Sequence, residues 1–253
     1  GVVSTFAGQP FVGGSTNGTG TEARFSSPVG ITVDSAGTVY VSEHSGGKVR
    51  VITPGGAVST LTSGFGAPRG VAADGEGNLY LADPTEHQIY QITAGGVKTT
   101  LAGSPTPTQG FEDADIGTDA RFRFPYGIAF GPDGNLYVAD VSNHAIRMID
   151  MTDTPGKVTT YAGGVSGSAD GTVGTAQFNK PRDIAFDGDG NLYVADSDNL
   201  TIRKITPEGD VTTLAGSAGE SGTADGTGAQ ARFTIIGGIA VDGDGNLIVM
   251  GGS

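Results

Sequence analysis

The chain has 253 residues with 14 basic and 27 acidic side chains, which gives a net charge of -13, and it contains no cysteine. An acidic surface repels phosphate backbones, so this charge balance argues against nucleic-acid binding; the lack of cysteine excludes disulfides, thiolate catalysis and cysteine-based metal sites. No run of apolar residues approaches the length of about 18 that a membrane-spanning helix needs, so we expect no membrane insertion.

The chain begins in a strand-like segment, Val2 to Gly8, which is followed by five repeat units. Each unit is marked by a strand of the type Asn-Leu-Tyr-Val-Ala-Asp, whose Tyr or Ile stands at positions 40, 80, 137, 193 and 248. A complete unit also has a Phe-x-x-Pro-x-Gly-Ile-Ala run before this strand, then an Ile-Arg-x-Ile run and a Val-Thr-Thr-Leu-Ala-Gly run after it. These runs are short, rich in β-branched or aromatic residues and bounded by turn formers, which predicts four strands per unit.

Four strands per unit at this interval predict an all-β fold, a β-propeller of four-stranded antiparallel blades, as a single domain over residues 1–253. The predicted blades cover residues 25–64, 65–103, 122–163 and 178–216, with residues 233–253 and 1–8 together forming a fifth. Val3–Gly8 matches the fourth strand of a unit, so we expect it to complete the last blade and close the ring. Such closure removes exposed sheet edges.

The segment after the second strand carries a signature shared by several units. It reads Ser-Asn-His-Ala-Ile-Arg at 142–147, and residues 86–89 and 198–202 occupy the same place. This pattern resembles the NHL repeat, named for Asn-His-Leu, of the bacterial secreted or cell-surface type; the first unit departs from it at 45–49. The resemblance implies a β-propeller, commonly with six blades, and a longer parent chain would supply the remainder. It does not specify an activity, because propellers host many.

Two groups of acidic residues could suggest metal sites. The segments 187–191 and 242–246 read Asp-Gly-Asp-Gly-Asn like calcium loops, yet neither has the bidentate Glu of an EF-hand. The same place in other units predicts hairpin turns with glycine at a positive φ. Glu43, Asp83, Asp140 and Asp196 end the second strands, where we expect them to accept backbone N–H groups in the following turn, a cation being the alternative. We therefore predict no cofactor, with calcium as the less favoured alternative.

Long, similar loops lead into every unit except the second. They begin with Asn-Gly, Asp-Ile-Gly or Asp-Gly, followed by a short polar run, at 17–25, 115–122, 170–178 and 225–233. Loops on a rigid scaffold often bind ligands, although a repeated loop can equally be a repeated structural device. The short connection at 63–67 lacks this loop, so we expect a notch there in one face of the ring.

The candidate site residues are those at which the repeats disagree, because agreement among repeats reports folding. The position after the proline of the first strand varies, and it carries Arg69, Tyr126 and Arg182. The next position is glycine in four units and Asp183 in the other. We predict that these four residues bind a ligand at the mouth of the channel, with a surface pair between Arg182 and Asp183 as the alternative.

Histidine occurs three times in the chain, and two copies share a repeat position. His87 and His144 are therefore predicted to be packing residues encoded by the repeat. His44 is out of register and lies beside Glu43, so we add both of these residues to the candidate ligand-binding set, with acid–base chemistry as a further option for His44.

The favoured function is a non-catalytic binding or scaffold module of a larger bacterial protein outside the cell or on its surface. Its partner would be a protein or a glycan, recognised through one face of the propeller. The alternative is a metal-dependent propeller hydrolase or lyase with its site at the channel mouth. Neither a Gly-x-Ser-x-Gly elbow nor a His-Glu-x-x-His motif is present, which favours the binding function.

Overall fold

The computed structural model describes residues 2–152 and 156–251, so residues 1, 153–155, 252 and 253 of the predicted domain lie outside the described residues. The fold is all-β, as predicted, and consists of short antiparallel sheets in which the consecutive strands of a blade pair with each other. In two sheets a short strand from the loop that precedes the blade pairs with the last strand of the blade. None of the described helices has the length and apolar character that crossing a membrane requires.

The first two blades contain nine strands. Blade 1 comprises β1 (Gly18–Thr19), β2 (Pro28–Val33), β3 (Val39–Glu43), β4 (Lys48–Ile52) and β5 (Ala57–Ser63). Its strand order is β1-β5-β4-β3-β2, so the short β1 covers the outer edge. Blade 2 comprises β6 (Val71–Ala73), β7 (Leu79–Asp83), β8 (Gln88–Ile92) and β9 (Lys98–Ala102), in that order.

The later blades repeat this plan. Blade 3 comprises β10 (Pro125–Phe130), β11 (Leu136–Asp140), β12 (Ala145–Ile149) and β13 (Val158–Gly163). Blade 4 comprises β14 (Gly171–Thr172), β15 (Pro181–Phe186), β16 (Leu192–Asp196), β17 (Thr201–Ile205) and β18 (Asp210–Gly216), with β14 on its outer edge. The last sheet pairs β19 (Gly238–Val241) with β20 (Leu247–Met250). Five 3-10 helices lie in the loops, at Gly20–Glu22, Gly117–Asp119, Val141–Asn143, Ser197–Asn199 and Gly228–Gln230.

The core lies between neighbouring blades, which explains why the second strands are apolar on both faces. One buried cluster joins blades 2 and 3, and another joins blades 3 and 4. Aromatic pairs mark the junctions: Tyr80 meets Phe130 edge to face with ring centroids 5.1 Å apart, and Tyr137 meets Phe186 at 5.0 Å. Each such pair adds about 0.5–1.5 kcal/mol beyond the area that it buries.

The segments that resemble calcium loops form the predicted hairpin turns. In one of them, Asp187 Oδ1 accepts the backbone N–H groups of Asp189 at 3.0 Å and Asn191 at 2.8 Å. Its Oδ2 accepts the hydroxyl of Tyr193 at 3.0 Å, and burial together with this carboxylate raises the pKa of Tyr193 to about 12. The carboxylate therefore serves the turn itself.

The repeat histidines join one blade to the next. Nδ1 of His87 accepts the backbone N–H of Phe124 at 3.3 Å, and Nδ1 of His144 accepts that of Lys180 at 3.2 Å. Both histidines have positive φ angles, 57° and 54°. Burial lowers the pKa of each, which favours the neutral ring that this acceptor role requires. They are packing residues of the repeat, as the sequence predicts.

The predicted closing strand is not formed, and this corrects the sequence-based expectation. Residues 2–6 are exposed and belong to no strand, and the last sheet has two strands in the described residues. In every complete blade the fourth strand pairs with the third, so a segment of the fourth-strand type cannot pair with the second strand β20. The N-terminal segment instead lies along the first blade, where the N–H of Gly8 donates to Gly20 O at 3.0 Å. The number of blades stays a prediction.

Candidate functional site

A cavity of about 540 Å³ lies where the first strands of the blades converge. In blades 1 to 3 the strands approach so closely that one position of the repeat leaves no room for a side chain. A methyl group at Gly30 would lie 2.2 Å from the carbonyl oxygen of Arg69, and one at Gly70 would lie 2.3 Å from that of Tyr126. The shared glycine is therefore a packing requirement, and the residue before it is left free to vary.

Arg69 and Tyr126 meet across the junction between blades 2 and 3. The guanidinium carbon of Arg69 lies 4.3 Å from the centre of the Tyr126 ring, a cation–π contact worth about 0.5–1 kcal/mol near the surface. The backbone N–H of Arg69 donates to Ala82 O at 2.9 Å, which fixes the strand from which its side chain projects. The pair presents a flat aromatic surface and a positive charge to the cavity.

Asp183 stands where the other units have glycine, and it joins blades 4 and 5. Its Oδ2 accepts the backbone N–H of Ile239 at 2.9 Å, whereas blades 2 and 3 join by a bond from Gly70 N–H to Tyr126 O at 3.2 Å. Burial raises the pKa of Asp183 to about 6, opposed by the N–H groups of Ile239 and Ile184. No ion pair with Arg182 is found within the described residues, so the alternative of a surface pair is not observed.

Arg182 lines the same cavity as Arg69. Its Nε is buried and has no hydrogen-bond partner in the described part of the chain. Two guanidinium groups thus face one cavity in a chain of net charge -13, and the single carboxylate beside them is largely protonated below pH 6. This end of the channel is suited to a ligand that carries negative charge or accepts several hydrogen bonds.

The other two candidates lie elsewhere. Glu43 is buried; its Oε1 accepts the N–H of Ser26 at 2.9 Å and pairs with Arg50 at 3.0 Å. His44 donates its backbone N–H to Ser27 O at 3.0 Å, and its Nδ1 is buried without a partner. Neither residue lines the cavity, so of the six candidates the fold brings together Arg69, Tyr126, Arg182 and Asp183.

Several lining residues were not predicted from the sequence. Val29 stands in the varying position after the proline, and its place in the repeat could have indicated it. Ile248 and Met250 of β20 also line the cavity, and they are 60% and 65% exposed. No sequence signal indicates them, because second strands are enclosed in the other blades.

The carboxylates that end the second strands accept backbone N–H groups, but chiefly those of the segment that leads into the first strand, which corrects the expectation of bonds in the following turn. Asp83 accepts the N–H groups of Gly66 at 2.7 Å and Ala67 at 3.1 Å, and Asp196 accepts that of Asn179 at 2.6 Å. Asp83 also accepts the N–H of Thr85, in the following turn, at 3.1 Å. Across residues 2–152 and 156–251, no three His, Asp or Glu side chains are grouped so that they could hold a metal ion.

A family model for the NHL repeat matches residues 122–147 and 178–205. The chain is 37% identical over 97 residues to SUPPRESSOR OF QUENCHING 1 of Arabidopsis thaliana, covering 38% of this chain and 9% of that protein. It is 35% identical over 105 residues to NHL repeat-containing protein 2 of Bos taurus, covering 39% of this chain and 14% of that protein. The chain thus spans less than a fifth of the length of these relatives.

Solved structures with a similar fold have low sequence identity. A virginiamycin B lyase from Staphylococcus aureus superimposes with a TM-score of 0.60 at 21% identity, covering 89% of this chain and 64% of that one. An auxiliary nutrient binding protein from Bacteroides thetaiotaomicron superimposes with a TM-score of 0.57 at 22% identity, covering 89% of this chain and 66% of that one. A chain of a nidogen/laminin complex superimposes with a TM-score of 0.63 at 16% identity, covering 88% of this chain and 72% of that one. At these identities the likeness concerns the fold alone.

Proposed function

Because the chain is an NHL-repeat β-propeller, we propose that it is a non-catalytic binding module whose ligand, a protein or a glycan, contacts Arg69, Tyr126 and Arg182 at the channel mouth. One observation carries this proposal. The residues at which the repeats disagree come from three different blades and line one cavity. Residues selected only for folding would instead follow the repeat.

The chemistry of the cavity supports ligand binding. The Tyr126 ring and the two guanidinium groups offer stacking and hydrogen-bond donation, the combination by which arginine and aromatic residues recognise carboxylates and planar groups. Arg69 and Arg182 have no ion pair within the described residues, so a ligand would not have to displace an internal carboxylate. The rigid first strands hold these side chains in place before the ligand arrives, which lowers the entropy lost on binding.

The setting is proposed to be the outside of a bacterial cell, within a larger protein. The composition supports this proposal, since the chain is acidic and rich in glycine, with 14 basic residues among 253. Similar folds occur in a nutrient-binding protein and in a complex of nidogen with laminin, so the fold is compatible with both kinds of ligand.

Glycan and surface-protein arrays would test the binding proposal. The unaltered protein should bind a defined subset of spots, and Arg69→Ala or Arg182→Ala should lower that signal at least tenfold. Arg121→Ala is the matched control, because its guanidinium contacts the loop carbonyl groups of Asp119 and Ala120, outside the cavity. Equal binding by the double variant Arg69→Ala/Arg182→Ala, or no binding on either array, would contradict the proposal.

A hydrolase or lyase function is the second candidate. The observation that favours it is the raised pKa of Asp183, which lines the cavity. A carboxyl group with a pKa of about 6 beside a cavity can exchange a proton near neutral pH. Turnover of lactone and macrocyclic ester substrates, assayed with and without added divalent cations, separates the two candidates. Turnover that is lost in Asp183→Asn while array binding persists would favour the enzyme.

A further inference from the structure

The outer strands of three blades are capped by the loop that leads into the same blade. In blade 1, β1 pairs Gly18 with Val58, and in blade 4, β14 pairs Gly171 with Val211. In blade 3 a single bridge joins Ala114 to Val158. The capped valines are 4%, 1% and 0% exposed in the same order, and each stands at the first or second position of its edge strand.

A buried arginine on the third strand holds each cap. Arg147 donates to the carbonyl of Glu112 at 2.8 Å and to the carboxylate of Asp113 at 2.6 Å, the two residues just before the cap. Arg50 and Arg203 make the equivalent contacts in blades 1 and 4. The cap, the arginine and the preceding Asp or Asn therefore occur together.

Blade 2 lacks all three parts. Its connection from blade 1 is short, Tyr90 stands in the arginine position, and β9 is the outermost strand of its sheet. Lys98 occupies the position of the capped valines and is partly exposed, and its neighbours Val97 and Thr99 are exposed. The expected notch thus coincides with an uncapped strand edge.

Comparison with blade 3 shows which backbone and side-chain groups on the outer edge of β9 have no partner within the described residues. Val158 exchanges two backbone hydrogen bonds with Ala114, at 2.8 and 3.1 Å, and the N–H and hydroxyl of Thr160 donate to Asp113 at 3.0 Å each. Lys98 and Thr100 stand in the same register against β8 as Val158 and Thr160 against β12. Within the described residues, nothing accepts or donates the corresponding bonds of Lys98 and Thr100.

We propose that the outer edge of β9 binds an extended segment of a partner protein as an added strand, in the place that β1 and β14 fill elsewhere. The segment should carry an aspartate followed by a small residue, because Asp113-Ala114 and Asp170-Gly171 make the two caps in which a carboxylate accepts the threonine hydroxyl that corresponds to that of Thr100. The third cap, Asn17-Gly18, makes no such bond to the corresponding Thr60 within the described residues. Its backbone would pair with Lys98, and its carboxylate would accept the N–H and hydroxyl of Thr100. Strand addition of this kind takes affinity from backbone hydrogen bonds and specificity from the side chains between them.

The charge and the size of the edge agree with this partner. The ammonium group of Lys98 donates to Gly64 O at 2.5 Å and lies 4.6 Å from the Phe65 ring centre and 4.8 Å from that of Tyr90, so a positive charge stands beside the edge where the other blades have a buried valine. The edge is bounded by Gly96, which approaches Leu61, and by Gly103, whose N–H donates to Gly117 O at 3.0 Å. The caps β1 and β14 have two residues each, so a partner strand of that length is sufficient.

The test uses a peptide with the sequence of residues 168–174, Ser-Ala-Asp-Gly-Thr-Val-Gly, blocked at both ends. Titration into the ¹⁵N-labelled protein up to millimolar concentration should give saturable shifts of the amides of Lys98 and Thr100. A peptide with Asn in place of Asp should bind at least fivefold more weakly. Absence of saturable shifts at this edge would overturn the proposal.

Two variants locate the contact. Lys98→Pro removes the outward N–H and should abolish the shifts, and Lys98→Glu, which leaves the backbone intact, should weaken binding at least fivefold. Lys204→Glu is the matched control, since Lys204 lies on the third strand of blade 4, whose outer edge is capped. Unchanged binding by both Lys98 variants, or equal loss in Lys204→Glu, would show that the peptide binds elsewhere.

Discussion

At the scale of single residues, two positions differ from the residue that the other units have at the same place in the repeat. Asp183 replaces the glycine that lets neighbouring first strands approach, and its carboxylate replaces a backbone hydrogen bond. Tyr90 replaces a buried arginine, and no capping loop is present in that blade. In both cases the exception is explained by its neighbours in space.

The raised pKa of Asp183 predicts a defined effect of pH on stability. Its pKa is about 6 in the folded protein against a reference of 3.8, so folding disfavours the charged form. This penalty is fully present above pH 6 and disappears as the pH falls toward 3.8. Relative to Asp183→Asn, the wild-type free energy of unfolding should rise by on the order of 2 kcal/mol between pH 7 and pH 4. Urea denaturation of both proteins at several pH values measures this difference, and parallel pH profiles would contradict it.

At the scale of structural elements, the long loops before blades 1, 3 and 4 are structural devices. In each of them a buried arginine joins the end of the second strand to the loop, as Arg147 does by pairing with Asp140 at 2.9 Å. Burial raises the pKa of Asp140 and Asp196 to about 6, so burial outweighs the arginine in both pairs. Such pairs fix the position of a loop more than they add stability.

Removal of one partner of such a pair should be costly. Arg147→Ala leaves Asp140 buried without its cation and releases the backbone of Glu112, so we expect a loss of about 3–5 kcal/mol in the free energy of unfolding. Chemical denaturation measures the loss, and limited proteolysis should show new cleavage between residues 110 and 121. Arg121→Ala, on the same loop but not buried in the core, should change stability by less than about 1 kcal/mol. Similar losses in both variants would contradict the anchoring role.

At the scale of the whole molecule, blades support one another through the faces that they share. Blades 2, 3 and 4 have neighbours on both sides, and their central strands are buried. The faces of β2 and β20 are not covered in the described residues: Ile31 is 71% exposed, Val33 60% and Ile248 60%. These side chains occupy positions that pack against an adjacent blade elsewhere, so the uncovered faces of the first and last sheets are apolar. We call these two faces together the apolar side.

The apolar side should govern self-association of the chain as described. Ile31→Thr and Ile248→Thr together should lower the binding of a hydrophobic dye and the fraction of oligomer seen by analytical ultracentrifugation. Stability should change by less than about 0.5 kcal/mol, because neither side chain is buried. Ile128→Thr, at the position of Ile31 in blade 3, is buried and should instead destabilise the fold by about 1–3 kcal/mol. Unchanged dye binding in the double variant would show that the apolar side does not govern self-association.

The sequence by itself determined the fold class, the phase of the repeat and four of the residues that line the cavity. Strand pattern and turn chemistry act over a few residues, and repetition shows them several times, so Arg69, Tyr126, Arg182 and Asp183 appear as departures from a rule. Only the tertiary structure decided that Glu43 is a buried partner of Arg50, that the N-terminal segment follows the first blade, and that β9 has an open edge. These features depend on which strands become neighbours across blades, and contacts between residues far apart in the chain are not encoded in any local pattern.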